Sequence, residues 1–444
     1  MKKNVIIVGA GLAGSLCALY MLKREYNVSI YERRPDMRKI KLVAGRSINL
    51  ALSTRGWTAL EKVEADKHVK RIAIPMPKRI MHDVEGNLTD QYYGNQDQAI
   101  YSVPRAELNV LLMNLAEQKG ANIFFNHKCV DVNIDRPELV FLNTVTNEKI
   151  TLNCDLIVGA DGAFSAVRDK IAKLDHFQTS QYNIDHGYKE LLIPANNNGT
   201  HKIEKNALHI WPRGNFMLIA LPNLDGSYTC TLFSPFEGED SFKSLDNPQK
   251  VEEFFNRVFP DFTPLIPDLI DQFFKNPTSP MGIFKCFPWH LNAHCVLIGD
   301  AAHATVPFYG QGMNASFEDC RILDELIDEF DDNINEVLPI YSQRRKPNGD
   351  GLQDLSLHNF IVMRDKTADP KFLLQKKIEQ KFSKLYPDKW VPLYSMVSFT
   401  NISYSDAWEI GMKQERLMKK IMSIANIQEI WDSDEIISKM LKMT

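Results

Sequence analysis

Residues 5–34 read VIIVGAGLAGSLCALYMLKREYNVSIYERR. The apolar run 5–8 is short, rich in β-branched residues and stopped by Gly9, which predicts a buried strand. Residues 12–23 then predict a helix, and 28–32 a second strand, so the segment opens a βαβ unit. Between strand and helix stands Gly9-x-Gly11-x-x-Gly14. In such a turn the first glycine permits the bend, the second lets the backbone approach a pyrophosphate, and the third brings helix and strand together. The helix N-terminus then faces the phosphate charge, and Glu32, at the end of the second strand, can accept hydrogen bonds from a ribose. The spacing alone is weak; on a strand–turn–helix followed by an acid it points firmly to a bound dinucleotide.

The same stretch resembles a signal peptide or a membrane span, because Met1-Lys2-Lys3 precedes an uncharged run. The three glycines argue against that reading, since they punctuate a turn, and the expectation is a cytoplasmic protein. A chain of 444 residues can bury a large core, and 44% hydrophobic with 24% charged residues is ordinary for a globular protein. A formal net charge of -4, with no basic tract interleaved with aromatics, makes nucleic acid an unexpected partner. The seven cysteines are scattered and form no CxxC pair, which predicts free thiols in a reducing compartment. The eleven histidines contain no HExxH motif, so no metal site is expected.

Outward from the fingerprint, 105–119 carries Leu108, Leu111, Leu112 and Leu115 at helical spacing and stops at Gly120. Residues 156–159 and 296–299 are further short apolar strands. Between them, YKELLIP, ALHIWP, NFMLIALP and SYTCTLF are β-rich runs separated by NNNGT, RGN and NLDG, which predicts an antiparallel sheet over 188–233. Residues 72–101 are expected to add strands to it, and beyond Ala315 the pattern turns helical. The expected fold class is α/β: a Rossmann-like nucleotide-binding domain from 1–71, 102–175 and 286–345, a β-rich substrate domain from 72–101 and 176–285, and a helical region over 346–444.

Two later motifs separate FAD from NAD. CDLIVGADGAFSAVR places Asp161 and Gly162 at a strand end, with Ser165 and Arg168 beyond. VLIGDAAHATVPFYGQGMNASFEDC places Asp300 at another strand end, followed by a Pro/Gly-rich loop and a helix start around 312–314. Strand-end aspartates suit ribose or ribitol hydroxyls, and the helix start at Gly312 offers backbone N–H groups where a reduced flavin becomes anionic.

With the fingerprint, these motifs resemble the para-hydroxybenzoate-hydroxylase-like flavoprotein monooxygenases. GRSINLALSTRG (45–56), HGYKELLIP (186–194), LHIWPRGNFMLIALPN (208–223), VPFYGQGMN (306–314) and PLYSMVSF (392–399) are similar to the kynurenine 3-monooxygenases within them. The resemblance implies one non-covalent FAD and NADPH as co-substrate. It implies FAD contacts at Ala13, Tyr31, Glu32, Arg33, Arg34, Ala51, Arg105, Cys129, Asp300, Met313 and Asn314, beside the motif residues Gly9, Gly11, Gly14, Asp161 and Gly312. It places a substrate carboxylate near Arg79, Tyr93, Asn359 and Tyr394; read without it, Arg79 is a solvated surface charge. The implied reaction is hydroxylation of L-kynurenine with O2 through a flavin C4a-hydroperoxide, in tryptophan degradation towards quinolinate and NAD. The flavin bears the reactive step, so no catalytic acid or base is assigned, and His303 is expected to be structural.

Two alternatives share these motifs: a hydroxylase, halogenase or reductase for another substrate, and a non-catalytic FAD-binding protein. The absence of WxWxIP weakens the halogenase reading. No transmembrane segment is expected. Lys413, Arg416, Lys419 and Lys420 oppose apolar residues over 412–427, and packing on the body of the protein is preferred to membrane contact. The sequence does not give the oligomeric state.

Overall fold

The computed structural model describes residues 2–39, 49–93, 98–365 and 369–444, leaving aside the side chains of 364 and 365. The start of the 45–56 stretch, residues 45–48, lies outside the described residues.

The opening strand runs Asn4–Val8 and the helix Leu12–Lys23. Asn4–Val8 pairs in parallel with Asn27–Tyr31 on one side and Leu156–Gly159 on the other. Cys295–Leu297 extends the sheet in parallel beyond Leu156–Gly159, and Asn122–Phe124 beyond Asn27–Tyr31. His290–Leu291 closes one edge antiparallel, giving six strands. The central strands are apolar along their length because both faces are covered, the usual condition of a parallel sheet. Helix Leu12–Lys23 is buried continuously from Gly14 to Met21, since it packs against both Arg105–Gln118 and Gly312–Glu329.

The β-rich runs form a seven-stranded sheet. Its order is Thr278–Phe287, Gln178–Ile193, Tyr228–Pro235, Phe216–Pro222, Ala207–Arg213, Lys78–His82, Leu88–Tyr92. All pairings are antiparallel except that of Ala207–Arg213 with Lys78–His82. Of residues 72–101, two strands join this sheet as expected. Ile74–Met76 and Ile100–Pro104 instead form a separate three-stranded sheet with Asn49–Leu52. Alternation decides which face is which. Trp211, Leu218 and Leu232 point to a core of Phe254, Phe255, Phe259 and Phe273, whereas Ile210, Met217 and Phe233 point to Val306, Phe308 and Phe360. That second face looks onto the loop following Asp300.

The chain beyond 312 is helical. Ile334–Asp365 is followed by Pro370–Leu385, Leu393–Phe399, Tyr404–Met422 and Asp434–Met443. The apolar residues of 412–427 are used internally: Leu417, Met418, Ile421 and Ile427 pack with Ile378, Phe382, Trp390 and Met440. Among the described residues no helix is long and apolar enough to cross a membrane.

Among the described residues, one buried lysine has no acidic partner. Lys189 lies on the Phe-rich face, its ammonium donating to the Asn276 carbonyl at 2.6 Å and sitting 4.7 Å from the Phe273 ring centroid. Burial lowers its pKa to about 8. Below that value the folded state holds a desolvated charge; between about 8 and the ordinary lysine value near 10.4 the unfolded chain binds more protons, so this residue's contribution to stability rises with pH. Lys189→Met should therefore stabilise the protein at pH 7 by about 1–2 kcal/mol, less than the full shift because the ammonium keeps one hydrogen bond and some solvent access. Urea unfolding at pH 7 and pH 10 checks this: the wild-type deficit should shrink at the higher pH, and a variant less stable at both would refute it.

Candidate active site

Register brings the three motifs to one edge. Val8 lies opposite Tyr31 and Gly159, and Gly159 opposite Leu297. One step further along each strand, Gly9, Glu32, Ala160 and Ile298 therefore open the same crevice at the carboxyl ends of the strands, where open α/β sheets bind ligands. Gly9 has φ +102°, and a Cβ there would lie 2.6 Å from the Ala160 carbonyl oxygen. A Cβ on Gly14 would drive into the Gly9 carbonyl, whereas one on Gly11 would meet nothing within 4 Å. Two glycines thus serve packing, and the third faces open space at the helix N-terminus. That is the cradle a pyrophosphate needs, and the residues present fit FAD.

The other expected cofactor contacts distribute around this crevice. Glu32 is buried and accepts from the Ala10 backbone N–H at 3.0 Å and from the Arg34 backbone N–H and Nε at 2.9 and 2.8 Å. Burial alone would raise its pKa; the Arg34 bonds and charge outweigh that and hold it below the ordinary carboxylate value. Arg33 is exposed, and so is Arg105 at the start of its helix. Tyr31 is sandwiched between Phe124 and Phe141 at 4.8 and 4.3 Å, so its ring belongs to the core. Cys129 is also buried, which pushes its thiol up to about 12. Asp161 accepts from the Ser165 hydroxyl and the Ala166 N–H at 2.5 and 2.7 Å, capping the helix Ala166–Ile171. Asp300, by contrast, is exposed at the start of its short helix.

Ala13 adjoins Gly299, where a Cβ would lie 3.1 Å from the Ala13 methyl. Gly312 and Met313 begin the helix Gly312–Glu329, and Asn314 ties that start to the strand ending at Leu52. Its amide donates to the Ala51 carbonyl at 2.9 Å and accepts from the Ser53 N–H at 2.9 Å.

Across the crevice, Arg79, Tyr93 and Tyr394 come together from three distant segments. The Tyr93 and Tyr394 rings stack at 5.2 Å, with the Arg79 guanidinium 6.0 and 5.4 Å from their centroids. Arg79 Nε and the Tyr93 hydroxyl are buried and make no hydrogen bond of normal geometry among the described residues. Burial holds the Tyr93 hydroxyl well above its ordinary pKa, so it is a donor. Unsatisfied buried donors clustered around a guanidinium describe a receptor for an anion. Asn359 is tied elsewhere, donating to the Phe308 carbonyl at 2.6 Å, and no contact joins it to this cluster among the described residues.

Sequence reasoning did not name Tyr309, which stacks on Tyr394 at 5.7 Å, or Phe399, 6.2 Å from it. Both lie inside the family-like stretches 306–314 and 392–399, but Tyr309 meets Tyr394 across some eighty residues and Phe399 meets Tyr93, at 5.7 Å, across some three hundred, which leaves no local pattern. It also missed a buried ion network. Asp319 Oδ2 accepts from His303 Nε2 at 2.6 Å and the Gly299 N–H at 2.9 Å, and its Oδ1 from Arg345 at 2.8 Å. Glu318 accepts from Arg345 at 2.7 Å and Arg55 at 2.9 Å. Burial opposes ionisation of both acids, yet His303 and Arg345 beside Asp319, and Arg345 and Arg55 beside Glu318, hold them below their ordinary values. His303, expected to be structural, is engaged by Asp319 and stacks on Trp289.

A model described as FAD binding domain matches residues 2–356. A kynurenine 3-monooxygenase of Flavobacterium psychrophilum is 49% identical over 442 residues, covering 100% of this chain and 98% of the relative. The chain belongs to the kynurenine 3-monooxygenase family. The Anopheles gambiae member is 43% identical over 96% of this chain and 88% of its own length. Among solved structures, 2-methyl-3-hydroxypyridine-5-carboxylic acid oxygenase matches with a TM-score of 0.66 at 21% identity, over 83% of this chain and 94% of that one. Klebsiella pneumoniae HpxO complexed with FAD matches with a TM-score of 0.66 at 15% identity, over 94% and 97%. These two likenesses show that this chain shares their fold.

Gly11 gives a test of the cradle in this family member. Because its Cβ would meet no protein atom, Gly11→Ala should change the stability of the apo-protein by no more than about 1 kcal/mol. The added methyl would stand where the backbone must approach the cofactor, so FAD should bind on the order of tenfold more weakly. Apo-protein melting and FAD titration followed by flavin fluorescence measure the two effects. Equal FAD affinity would remove the pyrophosphate from this turn.

Proposed function

We propose that this protein hydroxylates L-kynurenine to 3-hydroxykynurenine with non-covalently held FAD, NADPH and O2, in tryptophan degradation towards quinolinate and NAD. The observation that carries this reading is the buried, unsatisfied Nε of the half-buried Arg79 beside the buried Tyr93 hydroxyl, roofed by Tyr394. Arg79 offers a planar two-donor fork to the substrate carboxylate, and the two tyrosine hydroxyls complete its hydrogen bonds. Asn359 takes part from the Phe308 side. The apolar face of the seven-stranded sheet, with Ile210, Met217 and Phe233, holds the anthraniloyl ring and keeps water away from it.

Gly9, Gly11, Gly14, Glu32 and Asp300 would hold the cofactor across the strand ends, and the helix beginning at Gly312 would offer it backbone N–H groups. Bound FAD supplies hydride acceptance from NADPH and activation of O2. The ring carbon that is hydroxylated lies ortho to the substrate's own amino group, whose electron donation activates it. The protein's part is orientation and exclusion of water, and no side chain here serves as base: His303 is committed to Asp319 and stacks on Trp289 at 4.9 Å. We place the protein in the cytoplasm, a reading supported by its free cysteines and by bacterial relatives.

Incubation with kynurenine, NADPH and O2 should yield 3-hydroxykynurenine, identified by chromatography and mass; NADPH oxidation without that product would sink the assignment. Arg79→Ala should lower kcat/KM by about 2–5 kcal/mol, as for truncating one partner of a buried charge pair, with FAD content near normal. Wild-type kcat/KM in that variant would return Arg79 to the surface-charge reading.

A further inference from the structure

Arg55 is fully buried at the start of the helix Thr54–Glu61, and neither the cofactor nor the substrate reading uses it. Its guanidinium reaches three elements at once. One terminal nitrogen donates to Glu318 on the helix that begins at Gly312, at 2.9 Å. The other two nitrogens donate to backbone carbonyls of the C-terminal region, Nε to Val397 at 3.4 Å and the second terminal nitrogen to Ile402. Its plane lies 4.0 Å from the Tyr404 ring centroid, and the Tyr404 hydroxyl donates to Gln311, the residue preceding Gly312, at 3.0 Å.

Val397 stands three residues beyond Tyr394 on the seven-residue helix Leu393–Phe399. That helix is too short to hold its own place, so its position depends on the core packing of Met396 and Val397 and on what grips its carbonyl ends. We propose that Arg55 is a positioning residue for substrate recognition: it fixes the helix Leu393–Phe399 against the flavin side of the protein and so holds the Tyr394 ring over Arg79. The inference rests on the proposed carboxylate-binding role of Arg79 and Tyr394, and it extends to this chain's C-terminal region the control of substrate affinity. A guanidinium suits the task because its fork satisfies one carboxylate and two carbonyls in fixed directions, which an ammonium cannot do.

The geometry also says what removal does. Glu318 keeps its bond to Arg345 at 2.7 Å when Arg55 is lost, so its charge stays paired. What disappears is the grip on Val397 and Ile402.

The test is a double-mutant cycle on FAD-loaded protein with two substrates, kynurenine and its decarboxylated analogue kynuramine. Arg55→Met should raise the Kd for kynurenine, read from perturbation of the flavin absorbance, and its KM by about tenfold, the scale of one hydrogen bond to a charged group, with kcat changed far less. For kynuramine the change should stay under about twofold, because the lost contact is to the carboxylate. In a Tyr394→Phe background the Arg55→Met effect on kynurenine should also fall to about twofold or less, since the residue acts through Tyr394. Arg55→Lys, which keeps the Glu318 pair, should lie between wild type and Arg55→Met, and it decides the question if Arg55→Met does not retain FAD. Equal losses for both substrates, additive losses in the cycle, or unchanged kynurenine affinity would each overturn the proposal. Failure of wild-type protein to form 3-hydroxykynurenine would instead overturn the functional reading on which it rests.

Discussion

Two adjacent acids, Glu318 and Asp319, lie in the protein interior, and the basic side chains gathered around them fix where the segment around Asp300–His303 meets the long helix Ile334–Asp365. Taking one such carboxylate out of water costs several kcal/mol, so the pair is tolerated only with counter-charges in close geometry. Arg345 serves both acids, His303 serves Asp319 and Arg55 serves Glu318. The partners come from the short helix Asp300–His303, the long helix Ile334–Asp365 and the helix Thr54–Glu61. Each acid is held by two of them, so the network penalises arrangements in which these elements drift apart. Glycine enforces the same closeness on the apolar side: a Cβ at Gly349 would lie 2.8 Å from the Trp289 ring, and one at Gly351 as close to the Ser405 backbone.

From that fixed junction the two halves of the site face each other. The parallel sheet presents its carboxyl ends, where helix N-termini and strand-end acids suit a phosphate-bearing, hydroxyl-rich cofactor. The seven-stranded sheet presents one apolar face and, from its Lys78–His82 strand, a single guanidinium. The contrast is chemical. The cofactor side offers largely backbone, which any sequence with glycines in place can supply. The side proposed for the substrate offers side chains, and these come from residues 79, 93 and 394, on segments that meet only in the folded chain.

Much of the fold was legible because it rests on local rules. The βαβ start, the strand 156–159, the helix beginning at Gly312 and the antiparallel runs over 188–233 all have the period or punctuation of their elements. The strand 74–76 belongs to a different sheet from the expected one, because a three-residue apolar run carries no information about its partner. On the functional side, Gly9, Gly11 and Gly14 could be read in the sequence with separate roles, since turn, approach and packing each impose a distinct local demand. That Asp161 caps the next helix could not, since a strand-end aspartate looks alike with or without that bond.

The sequence by itself determined the class of cofactor and, through family-like stretches spanning most of the chain, the family. Those signals are contiguous, and a phosphate-binding turn must be built from neighbouring residues. Only the tertiary structure decided that Tyr309 and Phe399 join the stack around Arg79, that Glu318 and Asp319 are interior charges, and that Arg55 reaches the helix carrying Tyr394. Each of these is a contact between residues tens to hundreds of positions apart. Whether a charge is solvated or buried is set by what the rest of the chain places over it, and no local pattern encodes that.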